Sequence, residues 1–189
     1  MEAHALPNID NYIGKLNKAI SGTGSQNDLY KAIVNAPFKS RIDATMLDLG
    51  IVVLLLANKK TKLIDRVALS NTQPAHGAVN ISDKRFEDIK IPLNHKENII
   101  AEAIRTGNHI ETVDWKYLFT PDLSPRSARF NQAAAGIDCS VVYPLKGFKS
   151  GGALIFSYFQ PLPKINSAHH EFMNSYSTVV GEALKKFKK

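Results

Sequence analysis

Hydrophobic residues recur at helical spacing near both ends of this chain, and they form strand-like apolar runs between the ends. Residues 8–21 carry isoleucine and leucine at helical intervals, and a second helical stretch follows a possible cap at Ser25 or Asn27. From about Ser167 onward, apolar residues again lie on one helical stripe. The pattern predicts helices at both ends and a β-rich segment between them.

The segment between the terminal helices reads mainly as strands. Residues 51–57 are continuously apolar, which is typical of a central strand buried on both faces, and 62–69 is a second strand after a turn. Residues 70–87 are the least regular segment and predict a long excursion. The other predicted elements are a helical turn at 43–49, strands at 89–93, 109–113, 140–145 and 152–159, and helices at 94–105 and 126–135.

Residues 136–159 are the most informative stretch, because two apolar runs flank a short basic loop. Gly147 and Gly151 in that loop are the residues that a tight hairpin requires. Short connections of this kind join antiparallel strands. The order of elements therefore predicts a mainly antiparallel sheet covered by helices, an α+β domain.

Composition narrows the classes of protein without identifying one. The chain has 189 residues, 44% of them apolar, which suffices for one domain with a sizeable core. No apolar run approaches the roughly 20 residues that cross a bilayer, and the first residues do not resemble a signal peptide. Cys139 is the one cysteine, so an intrachain disulfide is excluded and a cytoplasmic location is expected.

The net charge of +7 does not by itself indicate a nucleic-acid partner. Four lysines lie in the last five residues, where a helix C-terminus favours cations, and the other basic residues are scattered. No aromatic and basic motif of the RNA-recognition type is present. We therefore expect neither nucleic acid nor a membrane as a partner.

Three phrases of the sequence, taken in order, resemble the GAF domain family. The first is the hairpin LGIVVLLLANKKTKLIDRVALS. The second is IKIPLNHKENIIAEAIRTGNHIETVDW, which is similar to the family's strand, Ile-Pro-Leu, helix, glycine, strand and closing Asp, here Asp114. The third is GIDCSVVYPLKG, followed by the strand GGALIFSYF.

The resemblance implies a GAF/PAS-like α+β fold, with a central, mainly antiparallel six-stranded sheet and helices on both faces. Residues 1–41 would be N-terminal helices, and 42–189 the GAF-like domain with its C-terminal helix. The terminal helices would pack together on one face, and the other face would enclose a small-molecule pocket. Such domains mostly sense ligands and often dimerise through their terminal helices, so a homodimer is expected. No output domain is recognisable, so the chain would act on a partner or be a fragment.

The signatures of the family's well-defined ligands do not occur here. Cyclic-nucleotide-binding members often carry the signature Asn-Lys-X-Phe-Asp-Glu. Residues 84–88 are only loosely similar to it and do not match it. Bilin-binding members use a cysteine commonly followed by histidine, whereas Ser140 follows Cys139. Members that reduce free methionine sulfoxide need several cysteines. We expect no cofactor.

Candidate ligand-binding residues lie on the elements that would enclose the pocket. Arg126 and Arg129, on the covering helix, could pair with a carboxylate or phosphate, or both could be exposed. Phe130 is expected to face the sheet. Aromatic residues before this helix could wall a ligand or fill the core, and hydroxyls on the central strands could orient a ligand. The full set is Trp115, Tyr117, Arg126, Arg129, Phe130, Cys139, Tyr143 and Tyr158.

No arrangement of residues predicts catalysis or a metal site. His169, His170 and Glu171 are adjacent, and neighbouring residues on a helix point about 100° apart, so they are interpreted as a solvated face. Cys139 lies in an apolar strand, which favours a packed core residue over a reactive thiol.

Three hypotheses for function follow. The first is a sensory domain that binds a small molecule and signals through its terminal helices. The second is a degenerate GAF-like module with a collapsed pocket, whose helices form a dimer or partner surface. The third is a thiol-dependent enzyme that uses Cys139, or an anion-binding protein that uses the arginines. The sequence favours the first, which is not an enzyme.

Overall fold

The computed structural model describes residues 8–40 and 45–187. The predicted domain boundary after residue 41 lies outside these ranges, as does part of the predicted turn at 43–49. The α-helices are α1 (Ile9–Ser21), α2 (Gln26–Asn35), α3 (Gln73–Asn80), α4 (Ile99–Thr106), α5 (Lys116–Phe119), α6 (Pro125–Ala135) and α7 (Ser167–Phe187). The strands are β1 (Leu49–Asn58), β2 (Leu63–Leu69), β3 (Lys90–Pro92), β4 (Ile110–Thr112), β5 (Cys139–Pro144) and β6 (Gly152–Tyr158).

The six strands form one antiparallel sheet in the order β3-β2-β1-β6-β5-β4. The hairpins β1–β2 and β5–β6 meet at the centre, where β1 pairs with β6. The first eight residues of β1 are buried, because helices cover both of its faces. The predicted α+β architecture with a six-stranded antiparallel sheet is confirmed.

The terminal helices α1, α2 and α7 cover one face of the sheet, which we call the helix face. Alternate strand residues such as Leu54 and Phe156 point to this side, because side chains alternate across a strand. Phe172 of α7 meets Tyr12 of α1 edge to face, with ring centroids 5.2 Å apart. The prediction that the N- and C-terminal helices pack together on one face is confirmed.

The other face, which we call the pocket face, is covered by α3, α4, α5 and α6. Ile51, Val53 and Ile155 point to this side and form a second core with apolar residues of these helices. Gly77 of α3 lies against the backbone of α6, where an added Cβ would be 2.7 Å from the carbonyl oxygen of Ala134. The glycine therefore permits the two helices to pack closely over the sheet.

Helix caps account for most of the predicted helix boundaries. The side chains of Asn8, Ser25 and Ser124 each accept a hydrogen bond from a backbone N–H at the start of α1, α2 and α6. The predicted cap of α4 at Asn94 is wrong. Asn98 caps this helix instead, because its buried side chain accepts from two backbone N–H groups of the first turn.

The sequence pattern does not predict two short helices, α3 and α5. Helix α3 lies inside the excursion of residues 70–87 and contains a proline, a glycine and a histidine, which carry no helical signal. Helix α5 is a single turn of four residues. Both are too short to be stable alone, so packing against the sheet and α6 stabilises them.

The Tyr176 hydroxyl fixes α7 to α2, and its removal is expected to destabilise the protein. The hydroxyl donates to the carbonyl oxygen of Ile33 at 2.6 Å, and both residues are buried. The donor four residues after Ile33 would be Pro37, which has no N–H. Tyr176→Phe should therefore lower the free energy of unfolding by about 1–3 kcal/mol in urea denaturation, because it leaves a buried carbonyl unpaired.

Tyr30→Phe is the matched control for this change. Tyr30 is on the same helix, α2, and its hydroxyl accepts from the Gln26 side chain at an exposed position. We expect its loss to change stability by less than about 0.5 kcal/mol. Equal effects of the two changes would show that the Tyr176 contact contributes nothing specific.

Candidate functional site

A small cavity lies on the pocket face, between the central strands and helices α3, α5 and α6. Its volume is about 50 Å³, and its lining is mainly apolar and aromatic. The exposed side chains of Val79 and Lys84 mark where it reaches the surface. Its polar lining residues are Arg66, Ser82, Lys84, Asn131 and Ser157.

Arg66 reaches the cavity from β2 because of an irregularity in the strand. The pairing of β1 with β2 shifts register between Leu54 and Leu55, so that Leu69 and Arg66 both lie opposite pocket-face residues. Without this bulge, two residues three apart on a strand would point to opposite faces. The bulge therefore places Arg66 and Leu69 together in the cavity lining.

The guanidinium of Arg66 is buried with few partners. Its terminal nitrogen donates to the carbonyl oxygen of Leu118 at 3.1 Å, and its Nε has no hydrogen-bond partner. The guanidinium carbon lies 4.4 Å from the ring centroid of Phe119 and 5.9 Å from that of Phe86, both cation–π contacts. Among the described residues, Arg66 is the one Lys, Arg, Asp or Glu that is buried.

Arg66 stays charged at neutral pH despite its burial. Burial lowers the pKa of Arg66 to about 10, and the carboxylate of Asp122 partly offsets this. Asp122 is itself paired with Lys84, whose Nζ lies 2.7 Å from a carboxylate oxygen. These three groups together carry one net positive charge at the cavity.

Other polar groups of the lining are tied into hydrogen bonds. The Trp115 indole Nε1 donates to the Ser140 hydroxyl at 2.9 Å, and Ser140 lies 2.8 Å from the Ser157 hydroxyl. When Ser140 donates onward, Ser157 retains a proton that it can offer to the cavity. On the other side, Asn131 of α6 donates to the Ser82 hydroxyl at 3.1 Å.

The structure places one of the eight predicted ligand-binding residues, Trp115, in the cavity lining. Helix α6 buries Ala128, Asn131 and Ala135, which lie on one helical face. Arg126, Arg129 and Phe130 lie on the other side of this helix and face solvent. The members of the predicted set that are exposed instead of lining the cavity are Tyr117, Arg126, Arg129 and Phe130.

The exposed arginines have partners of their own. Arg129 donates through two nitrogens to Asp114, at 3.0 and 2.7 Å, and Arg126 lies over the ring of Phe130. The alternative in which both arginines are exposed is the one observed. The expectation that Phe130 faces the sheet is wrong, since 54% of its surface is exposed.

Cys139, Tyr143 and Tyr158 lie on the helix face and not in the cavity. The strand alternation turns Ser140 and Ser157 toward the cavity and their neighbours away from it. The prediction that these three residues line the pocket is therefore wrong, because each lies one strand position away from a residue that faces the pocket side. Tyr143 instead bonds His170 of α7.

Cys139 is expected to be unreactive in the folded protein. Burial, with the charges of Asp138 and Glu111, raises the pKa of its thiol to about 11, and the sulfur donates to the Gln160 carbonyl at 3.2 Å. At pH 8 only about one thiol in a thousand would be ionised. Titration with a disulfide reagent should detect no thiol in the native protein and one per chain in guanidinium chloride. Rapid native labelling would contradict this placement.

The comparisons with known proteins find the fold and no sequence relative. No protein-family profile matches the sequence, and no curated protein matches it. Solved structures match over nearly the whole chain at low identity. The GAF domain of an Acinetobacter phosphoenolpyruvate-protein phosphotransferase is 10% identical, with a TM-score of 0.65 and coverage of 95% of each chain.

Two further structures illustrate the range of proteins with this fold. The GAF domain of the corresponding Coxiella burnetii protein is 10% identical, with a TM-score of 0.63, covering 96% of this chain and 97% of that one. A free methionine-R-sulfoxide reductase from Neisseria meningitidis, solved with its substrate, is 10% identical, with a TM-score of 0.57, covering 100% of this chain and 96% of that one.

The chain therefore has a GAF-like fold, as the three sequence phrases predict. Because these structures include both GAF domains and an enzyme, the likeness establishes the fold and leaves the function to the residues of the site. Within residues 8–40 and 45–187, no helix has the length and hydropathy that crossing a membrane requires.

Proposed function

We propose that this chain is a GAF-like sensory domain that binds a small anion at Arg66 in the cavity of the pocket face. The observation that supports this proposal is a charged guanidinium, buried in a largely apolar cavity, whose Nε lacks a partner. The carboxylate of Asp122 offsets the cost of burying this charge only in part, and a bound anion would offset more of it.

The chemistry of the cavity favours a carboxylate. The planar guanidinium matches a carboxylate or phosphate through parallel hydrogen bonds, and Nε is one of the donors for such a pair. Phe86, Phe119 and Trp115 offer apolar surface for the rest of the ligand. A volume of about 50 Å³ admits only a few non-hydrogen atoms, since one water needs roughly 10–15 Å³ on this measure.

The sheet offers a route from the cavity to the terminal helices. Val53 faces the cavity, and its neighbour Leu54 belongs to the core that holds α1, α2 and α7. A ligand that favours one position of β1 and β2 would thereby favour one arrangement of the helices. The output of the domain would be this arrangement.

Thermal denaturation with small carboxylates tests the proposal. Acetate, formate, pyruvate and phosphate are compared with chloride at equal ionic strength, and acetamide serves as the neutral counterpart of acetate. A ligand at 100 times its Kd should raise the thermal midpoint by about 5–10 °C. A response to acetamide equal to that of acetate would contradict the role of charge.

The degenerate-module hypothesis predicts a different result in the same experiment. A collapsed pocket gives no anion-specific rise and leaves no small molecule bound to protein purified from cells. Native mass spectrometry of such protein, before and after mild denaturation, measures the second quantity. A ligand-free mass together with a flat thermal response would favour the interaction module.

The homodimer remains a prediction. Phe172 and Val180 are almost wholly buried against the sheet of the same chain, so a dimer through the terminal helices would have to use other residues. Partly buried side chains such as Ile13 and Val179 lie at the edge of this core. Light scattering of the full chain measures the oligomeric state directly.

A further inference from the structure

Three potential metal ligands meet at the edge of the sheet, on the helix face and away from the cavity. His109 and Glu111 are two residues apart at β4, which puts their side chains on the same side. His170, in the first turn of α7, faces them across the gap. One ligand-type atom of each residue lies within 4.8 Å of those of the other two.

The orientation of His170 is fixed by Tyr143. The tyrosine hydroxyl lies 2.9 Å from His170 Nδ1 and can donate to the His170 carbonyl oxygen at 3.3 Å. When the hydroxyl proton goes to the carbonyl, the hydroxyl oxygen accepts from Nδ1–H and Nε2 is left with a lone pair. Metal-binding histidines are typically held in this way, through the nitrogen that does not bind the metal.

In this tautomer, His170 and Glu111 present two metal-ligand atoms to each other. The His170 Nε2 lies 3.1 Å from a carboxylate oxygen of Glu111, so a lone pair would face a negative charge. A metal ion bound to both atoms would remove the repulsion. The other tautomer, in which Nε2–H donates to Glu111, needs no metal and is the alternative to be tested.

We propose that His109, Glu111 and His170 bind a divalent transition-metal ion, with Zn²⁺ as the reference ion. Two neutral imidazoles and a carboxylate suit such ions, and water would complete a tetrahedral set. Ligand atoms around zinc lie about 3.3 Å apart for bonds of roughly 2.0–2.1 Å. The His109 side chain is exposed, so rotation can bring its nitrogen into range.

The His109 ring packs against the rings of Tyr143 and His170. The His109 ring stacks on Tyr143 with centroids 4.9 Å apart and planes 7° apart, and it lies 4.9 Å from the His170 ring. A bound ion would join the edge strand β4 to the first turn of α7. The site would thus stabilise the docked start of this helix, independently of an anion at Arg66.

Zn²⁺ binding to untagged, metal-free protein tests the inference. Isothermal titration should give one Zn²⁺ per chain, and Co²⁺ should give the intense visible absorption of a tetrahedral complex. Glu111→Gln retains all histidines of the chain, and we expect it to bind Zn²⁺ at least about tenfold more weakly. His109→Ala should behave in the same way.

His76→Ala is the control, because His76 is an exposed histidine of α3 whose Nε2 lies 2.7 Å from the side-chain oxygen of Asn71. It should bind Zn²⁺ as the wild type does. All variants should unfold at the wild-type temperature in EDTA, which shows that they fold. Wild-type Zn²⁺ affinity in Glu111→Gln, or no stoichiometric binding in excess Zn²⁺, would overturn the proposal and assign the cluster to the metal-free tautomer.

Discussion

Arg66→Met is expected to abolish the rise of the thermal midpoint with small carboxylates. Methionine has similar length and flexibility but carries neither charge nor donors. The anion would then enter an apolar cavity with no counter-charge, which is unfavourable. The expected loss is the whole anion-specific shift, about 5–10 °C at saturating ligand.

The same variant should be no less stable than the wild type in the absence of anions. Arg66→Met removes the hydrogen bond to Leu118, but it also removes a buried charge whose desolvation Asp122 offsets only in part. Replacing buried charges by apolar residues is often neutral or stabilising. Urea denaturation in anion-poor buffer measures this. If the Arg66→Met variant is severely destabilised but its thermal midpoint still rises with acetate, the role of Arg66 is purely structural.

Arg129→Met is the matched control for this experiment. Arg129 is an exposed arginine paired with Asp114 outside the cavity. Exposed ion pairs contribute little, so the free energy of unfolding of this variant should stay close to that of the wild type. Its response to carboxylates should be that of the wild type, which separates the effect of Arg66 from a general loss of positive charge.

Gly181→Ala is expected to destabilise the fold by about 2–3 kcal/mol. Gly181 lies where α7 crosses the chain after β5, and an added Cβ would be 2.2 Å from the backbone oxygen of Lys146. A backbone atom cannot rotate away as a side chain can. Alanine should favour the helix by up to about 1 kcal/mol, and the collision outweighs this gain. Urea denaturation gives the difference directly.

Gly14→Ala separates the collision from helix propensity. Gly14 lies on the exposed side of α1, and an added Cβ meets nothing within 4 Å. The same substitution should therefore stabilise the protein by about 0.5–1 kcal/mol. If both variants change the free energy of unfolding in the same direction, close packing of α7 on the loop after β5 is not the reason that position 181 requires glycine.

The sequence could predict the sheet because its strands carry strong local signals. The apolar run of β1 and the glycine loop between β5 and β6 each specify an element, and their order specifies antiparallel pairing. Helices α3 and α5 lacked such signals, since tertiary contacts with the sheet and α6 stabilise them. Local pattern could not reveal contacts made by residues distant in the chain.

The cavity was harder to predict than the fold. Tyr143 and Tyr158 lie on the strands that were expected to form the pocket floor, but the register turns them to the helix face. Arg66 was missed, although a lone arginine between Ile64 and Ala68 is unusual in a strand paired with a buried neighbour. This sequence pattern indicates a buried cation at Arg66. The β-bulge, which the sequence does not predict, places Arg66 in the same cavity lining as Leu69.

The cluster of His109, Glu111 and His170 could be predicted from the sequence only in part. His170 was considered with its chain neighbours, where the helical angle argues against a shared ion. The spacing of His109 and Glu111 on a strand was the informative pattern, and folding brings His170 to it from 59 positions away along the chain.

A crystal structure of the wild-type protein with the carboxylate that gives the largest thermal shift tests the central claim most directly. We predict anion density in the cavity of the pocket face, with a carboxylate oxygen within hydrogen-bond distance of Arg66 Nε. An anion bound elsewhere, with Arg66 Nε still unpartnered, would contradict the claim that this guanidinium is the ligand-binding group of the domain.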